Sequence, residues 1–345
     1  MPVPDDKINA FLANELNYVQ IKYLGKGCFG NVSVVRSKIE RNPKNIVMKR
    51  VCKLEPGYKD EIEIHEDLSK GKHSHIIEMY SAEILPKHAV IMMECAEDGN
   101  LRDLIRCCLD LNTIQLYFKQ MVFGLQYIHS KGYCHRDIKA ENLLLCNGVI
   151  KIADFGLACS YRDAKGIKKV SGGNGTRKTA APENWVEEKV DGPALDIWSV
   201  GIVLIDMVTA TPWAIANPSE DQAFAKYSKN PKKWTCDAFQ VIEAKDKKLM
   251  KLVRSILKCN PGERPTLEKI IQNEWCQKAD WDEEKQGDMI QDENQDVAKV
   301  RLPVGSAPVK KRTYEQKFEE ELMALPAKRG RRQKKVFEYF HDFMF

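Results

Sequence analysis

His135-Arg136-Asp137-Ile138-Lys139-Ala140-Glu141-Asn142, followed closely by Asp154-Phe155-Gly156, is the stretch around which the chain is organised. It sets two carboxylates, a lysine and an amide at fixed separations beside two apolar runs, residues 143–145 and 149–152. The runs read as short strands joined by a turn at Asn147-Gly148, a dipeptide suited to a tight hairpin. The polar residues then sit on loops anchored to buried strands. Such a layout suits a reaction that needs a proton acceptor, a metal and little covalent chemistry from the protein.

Composition bounds the surroundings of that stretch. The chain has 345 residues, 43% of them hydrophobic, enough for a sizeable core in roughly two domains. A net charge of +5 is too small to imply nucleic acid by itself. The 11 cysteines form no Cys-x-x-Cys pair and no zinc-type spacing, so reduced thiols in a cytosolic or nuclear protein are expected, most of them as small buried hydrophobes. The N-terminus carries no apolar signal core, and secretion is not expected. The most apolar long run, 194–210, contains Asp196 and Asp206 and reads as a buried core helix rather than a membrane span. A monomer with no membrane contact is the expectation.

In chain order, residues 1–17 form an N-terminal extension that reads only as a packed or frayed end. Residues 18–24 and 31–36 read as strands joined by a glycine turn, and 46–49 as a third strand. A charged helix over 58–70 stops at Gly71. Apolar runs at 76–80 and 89–95 then complete a small five-stranded sheet over 18–95. From Gly99 the apolar period becomes helical: Ile114, Phe118, Met121, Leu125 and Ile128 mark a long amphipathic helix ending at Gly132. The span 96–279 is thus mainly helical, with 194–210 at its centre and later helices at 249–259 and 267–275. Residues 280–309 have the acidic, polar composition of a linker. The basic tail, 310–345, carries clusters at 310–312 and 328–335, which read either as a two-part nuclear signal or as a solvated tail. Its end, with Val336, Phe337, Tyr339, Phe340 and Phe343 at helical spacing, reads as an amphipathic segment that packs on its own domain or on a partner.

Three further elements carry chemistry. Gly25-x-Gly27-x-x-Gly30 joins strand to strand, whereas a dinucleotide fingerprint leads from a strand into a helix. On its own it reads as a phosphate flap or as a structural turn. Lys49 stands in an apolar strand and needs a charged partner if it is buried, for which Glu61 on the next helix is the natural choice. With Ala181-Pro182-Glu183 added, six elements stand in the order glycine loop, strand lysine, helix glutamate, His-Arg-Asp, Asp-Phe-Gly, Ala-Pro-Glu. Over residues 18–277 the chain resembles the eukaryotic protein kinases.

That resemblance implies an α+β, bilobal protein kinase fold, with a small lobe of five antiparallel strands and one helix and a larger, mainly helical lobe. It implies ATP and Mg2+ as cofactors. Lys49, held by Glu61, would orient the α- and β-phosphates under the flap of Leu24, Gly25, Gly27 and Gly30. Asp154 and Asn142 would hold magnesium, Asp137 would take the proton of the substrate hydroxyl, and Lys139 would neutralise the transferring phosphoryl group. Val32, Val47 and Leu144 would enclose the adenine, with Met93 at the back of the pocket and Glu94 to Ala96 as the hinge. Lys139 and Thr176 imply serine/threonine acceptors. Glu183 would pair with Arg264, and Asp196 would hold the catalytic loop.

Within the kinases, Lys59-Asp60-Glu61-Ile62-Glu63-Ile64, Asp196-Ile197-Trp198-Ser199 and Thr211-Pro212-Trp213 are similar to the checkpoint kinases of the calmodulin-kinase-like group. This implies DNA-damage or cell-cycle checkpoint signalling, a nuclear location with some cytoplasmic protein, and substrates with basic residues before the acceptor, read by Asp103 and Glu141. Asn100 and the run Arg177-Lys178-Thr179-Ala180 depart from that group, and no Ser-Gln or Thr-Gln dipeptide is present, so a paralogue or a shortened form is expected. Arg136 beside Asp137 usually implies that a phosphate on the activation segment can be bound, with Ser171 a better candidate than Thr176, and the alternative reading, which the family resemblance favours, is that no phosphate is needed. The reading from another class is a pseudokinase scaffold that keeps the fold without turnover. Nucleic-acid binding through the tail has charge alone behind it.

Overall fold

The computed structural model describes residues 5–278 except 28, 29, 55, 56, 86, 107, 108, 164 and 187. The expected linker at 280–309 and the basic tail at 310–345, with its aromatic end, lie outside the described residues. Helix α1 (Asp5–Glu15) precedes strands β1 (Tyr18–Gly27), β2 (Gly30–Ser37) and β3 (Asn45–Cys52), helix α2 (Tyr58–Lys70), and strands β4 (Met79–Ile84) and β5 (His88–Glu94). The five strands form one antiparallel sheet in the order β1-β2-β3-β5-β4.

The two-residue period of the strands decides what covers each face of the sheet. Val47 and Val51 of β3, with Ile91 and Met93 of β5, pack beside Ile62 of α2. Met48, Val90 and Met92 point the other way and meet Val35 together with Leu12 and Ala13 of α1. Residues 5–15, which in sequence suggest only a packed or frayed end, therefore form a helix that closes the second face. Asn9 sits at its centre, fully buried, donating to Ser33 Oγ (3.0 Å) and accepting from Arg50 Nε (2.7 Å).

The expected strand at 76–80 is displaced in the structure. Its first half leaves the sheet: Ile152 N donates to His75 O (2.9 Å) and Ile77 N to Ile152 O (3.0 Å), with Ile76 bridged in parallel to Ile152. The chain joins β5 at Glu78, whose carbonyl accepts from Glu94 N (2.9 Å), and strand β4 begins at Met79. The bonds to Ile152 tie the sheet lobe to the hairpin that carries the polar loops.

The second lobe is helical. It begins with α3 (Leu101–Ile105) and α4 (Leu111–Ser130), the latter capped by Asp110, whose carboxylate accepts from Asn112 N (2.9 Å) and Thr113 N (3.0 Å). A short strand β6 (Tyr133–Cys134) leads into the loop at 135–142. The hairpin β7 (Leu143–Cys146) and β8 (Val149–Ile152) follows, turning through Asn147 and Gly148 at positive φ, and β9 (Cys159–Ser160) pairs back onto β6. Helices α5 (Glu183–Val186), α6 (Gly192–Val208), α7 (Gln222–Lys229), α8 (Asp237–Lys245), α9 (Lys247–Ile256) and α10 (Leu267–Ile271) complete it. The last two are shorter than the apolar runs suggest.

Every residue of α6 except Pro193 is buried, as its uniformly apolar sequence requires. No helix among the described residues is long and apolar enough to cross a membrane. The architecture is the bilobal α+β arrangement expected.

A buried ion pair braces the helical lobe. Arg264 holds Glu183 through two bonds, Nη1–Oε1 2.6 Å and Nη2–Oε2 2.7 Å, and also donates to the carbonyls of Ala194 and Lys258. Its guanidinium lies over the Trp198 ring at 5.1 Å. Removing one partner strands a charge in the core, so Arg264→Met is expected to cost about 3–5 kcal/mol in urea denaturation. A cost under about 1 kcal/mol would remove the bracing role from this pair.

Candidate active site

A cleft of about 880 Å³ separates the lobes. The β1–β2 hairpin brings Leu24, Gly25, Gly27 and Gly30 over it, and Val32, Val47, Met93, Ala96 and Leu144 supply apolar walls. Gly30 is constrained twice: its φ is 154°, and a side chain there would collide with the Arg50 carbonyl. Glu94 is turned elsewhere. Its carboxylate pairs with Lys151 (2.7 Å) and accepts from Glu78 N (3.2 Å), so only its backbone belongs to the hinge.

Deep in the cleft, Lys49 Nζ lies 2.5 Å from Glu61 Oε1 and 2.7 Å from Asp154 Oδ1. Burial alone would lower the Lys49 pKa, but the two carboxylates outweigh it and raise it. Burial pushes Glu61 up against the pull of Lys49, whereas at Asp154 the lysine prevails over burial and the carboxyl is held below its ordinary value. The arrangement keeps a charged lysine and an ionised aspartate facing the cleft.

Phe155, fully buried, fixes that aspartate. Its ring packs 4.8 Å from His65 of α2 and 5.4 Å from His135 of the opposite lobe. Asp154 itself adopts φ 65°, a strained backbone for a residue other than glycine.

The loop at 135–142 presents Asp137, which is 4% exposed. Its Oδ1 accepts from Thr176 N (2.9 Å) and Thr176 Oγ1 (2.7 Å), and its Oδ2 from Lys139 Nζ (2.7 Å). Lys139 also donates to Thr176 Oγ1 (2.9 Å). Asn142 Nδ2 donates to the Asp137 carbonyl (3.0 Å), which leaves its amide oxygen as the atom that can take a cation. With the Asp154 carboxylate this makes a pair of hard oxygen donors, the chemistry that suits Mg2+ shared with phosphate oxygens and water. Gly175, at φ 97°, lets Thr176 approach: a side chain there would stand 2.6 Å from the Arg136 carbonyl.

The structure thus brings Asp137, Lys139, Asn142, Lys49, Glu61, Asp154 and Thr176 together. The residues expected to read substrate are arranged differently. Asp103 and Glu141 line the mouth of the cleft, but Glu141 Oε1 accepts from Arg102 Nε at 2.9 Å, and Arg102 also meets the buried Asp206 at 3.3 Å. Asn100 caps α3, accepting from Asp103 N. Lys178 pairs with Asp206 (3.0 Å), and Arg177 pairs with Glu220 while lying over Trp185. Ser171 is exposed on a ladder with Lys189. The guanidinium of Arg136 is turned to Cys159, with Nη1 3.3 Å from Sγ. Arg102 and Cys159 carry no local sequence signal for these contacts.

His65 makes the site sensitive to acid. Burial holds its pKa down at about 4, and its Nε2 donates to the Ile77 carbonyl at 2.8 Å. Below about pH 6.5 the unfolded chain takes up a proton that the folded one refuses, so stability falls as pH drops from there towards 4. Between pH 7 and 5 wild type is expected to lose about 2 kcal/mol more than His65→Gln in urea denaturation. Equal losses would contradict a neutral, buried His65.

Comparison with known proteins agrees with this geometry. A family model described as the protein kinase domain matches residues 18–276. The chain is 31% identical over 274 residues to the serine/threonine-protein kinase chk-1 of Caenorhabditis elegans, covering 75% of this chain and 52% of that protein. It is 31% identical over 221 residues to the serine/threonine-protein kinase chk1 of Schizosaccharomyces pombe (62% and 42%), and 31% identical over 265 residues to the probable serine/threonine-protein kinase MARK-A of Dictyostelium discoideum (75% and 24%). It spans about half or less of the length of these curated relatives. With the matched region covering both lobes and every residue of the cleft, the chain belongs to the protein kinase family, with serine/threonine kinases as its relatives.

Proposed function

We propose that the chain is a serine/threonine protein kinase, transferring the γ-phosphate of ATP to protein hydroxyls in DNA-damage or cell-cycle checkpoint signalling. The observation that carries this reading is the convergence of Asp137, held by Lys139 and Thr176, on a cleft containing the Lys49–Glu61–Asp154 cluster. Lys49 would orient the α- and β-phosphates beneath the glycine flap. The Asn142 amide oxygen and the Asp154 carboxylate would hold magnesium, which supplies charge neutralisation on the phosphates. Asp137 accepts the substrate hydroxyl and its proton, and Lys139 Nζ stands close enough to share charge with the transferring group.

A scaffold without turnover finds no support, because none of Lys49, Asp137, Asn142 or Asp154 is replaced. The checkpoint role rests on the chk-1 and chk1 relatives and on the resemblance of residues 59–64, 196–199 and 211–213 to the checkpoint kinases. Nuclear location rests on the basic clusters at 310–312 and 328–335.

Selection of basic residues before the acceptor is the part the local geometry modifies. A substrate guanidinium approaching Glu141 must displace Arg102, so we infer weak rather than strong selection. An exposed ion pair of this kind is worth about 0.2–1 kcal/mol, which corresponds to at most about a fivefold preference.

The test is label transfer from ATP and Mg2+ to a degenerate peptide array. Wild type is expected to label Ser and Thr peptides, and Asp137→Ala and Asp154→Ala to be at least about a hundredfold slower. Equal transfer by all three would end the kinase reading. Arg102→Ala is expected to sharpen the preference for an upstream arginine by about two- to fivefold. An unchanged preference would remove Arg102 from substrate selection.

A further inference from the structure

Two cysteines flank the catalytic loop in a geometry the phosphotransfer reading does not use. Strands β6 and β9 pair antiparallel with Cys134 directly opposite Cys159. Their sulfurs are 3.6 Å apart. Directly opposed residues of an antiparallel pair have Cα atoms about 4.5–5.5 Å apart, within the range that a disulfide bridges. Closing to a bond of about 2.05 Å needs about 1.5 Å of sulfur movement and no rearrangement of the strands.

The two thiols are not equivalent. Cys134 is fully buried, and Gly192 lies so close to its Sγ that no larger residue fits there. Cys159 is half-buried. A hydrogen bond that either thiol can donate joins the two sulfurs, and Arg136 Nη1 stands 3.3 Å from that of Cys159. Both contacts favour the thiolate and hold the Cys159 pKa below the usual thiol range, while the same hydrogen bond and burial raise that of Cys134.

We propose that Cys134 and Cys159 are an oxidisable dithiol, with Cys159 the sulfur that reacts with a peroxide and Cys134 the sulfur that resolves it. The Cys159 thiolate attacks one peroxide oxygen: an S–O bond forms, the O–O bond breaks, and the leaving hydroxide takes a proton to become water. The sulfur, oxidised by two electrons, is then a sulfenic acid. The Cys134 sulfur attacks it, forming the S–S bond and breaking S–O, and its thiol proton leaves with the departing hydroxide as a second water. Two thiols and one hydrogen peroxide give one disulfide and two waters, and a dithiol reductant restores the pair by exchange.

The reaction reaches the active site through Arg136. Its Nε has no partner among the described residues, so the Cys159 sulfur is a principal contact of this side chain. Oxidation removes the thiolate charge and turns the sulfur to Cys134. The Arg136 backbone, already strained at φ 68°, has its carbonyl against Gly175, and the next residue, Thr176, holds Asp137. The Lys49–Glu61–Asp154 cluster is not part of this route. Turnover should therefore fall without loss of nucleotide binding.

The test treats the purified full chain with graded hydrogen peroxide, followed by alkylation, non-reducing digestion and mass spectrometry. The expected result is a linked Cys134–Cys159 peptide, two hydrogens lighter than the pair, appearing before modification of other cysteines. Phosphotransfer should fall in parallel by about tenfold, and dithiothreitol should reverse both. Cys134→Ser should stop at a sulfenic acid on Cys159, trapped by dimedone, and Cys159→Ser should show neither product nor any response of its activity to peroxide. Should Cys134→Ser fail to fold, wild-type alkylation rates at pH 7 decide, with Cys159 expected to outpace Cys52, Cys95, Cys236 and Cys259. Absence of the linked peptide, or a Cys159 slower than these, overturns the proposal, and a linked peptide with undiminished turnover overturns its effect on activity. Only the activity arm rests on the kinase reading, and the mass measurement is independent of it.

Discussion

The Asp196 carboxylate, on the buried helix α6 and without exposure to water, holds the catalytic loop in place. It accepts from the backbone nitrogens of His135 (2.8 Å) and Arg136 (2.7 Å) and from His129 Nε2 (2.8 Å). A buried charge is tolerable only when donors surround it, and these three come from α4 and from the loop itself. The loop needs such a hold because Arg136 has φ 68°, a conformation costing about 1–2 kcal/mol that persists only when its surroundings dictate it. Asp137, the next residue, inherits its position from this arrangement.

A second strained residue is Asp154, at φ 65°. Its geometry is imposed by Phe155, fixed between His65 and His135, and by the ion pair to Lys49. The sheet lobe contributes Lys49 and Glu61, and the helical lobe contributes His135 and Asp137. The pairing of residues 75–77 with β8 joins the two sets. Strained backbone thus occurs at Asp154 and at Arg136, the residue before Asp137, next to or at the two carboxylates expected to do the chemistry.

Where chemistry depends on residues near in sequence, the chain could be read directly. The separation of Asp137, Lys139 and Asn142 and the hairpin at Asn147-Gly148 were legible in this way, and so was the Lys49–Glu61 pair, because a buried charge requires an opposite one; the distant Glu183–Arg264 pair was legible only through the resemblance to the kinases. What escaped reading depends on tertiary partners. Helix α1 carries Asn9 on its buried side, and that polar residue breaks the apolar stripe because its partners, Ser33 and Arg50, are known only from the sheet. The run 76–80 looks like one strand because nothing local reveals that Ile76 bridges Ile152. Arg102 meets Glu141, and Cys134 meets Cys159, across separations that leave no motif.

The central claim is that buried scaffolding, with Asp196 at its origin, positions Asp137 for phosphoryl transfer independently of the nucleotide pocket. Steady-state kinetics of Asp196→Asn, with peptide and ATP varied separately, tests it most directly. The account predicts a fall in kcat of at least about tenfold with the KM for ATP changed less than about twofold. An unchanged kcat, or a KM for ATP that rises in step with the loss, would contradict it.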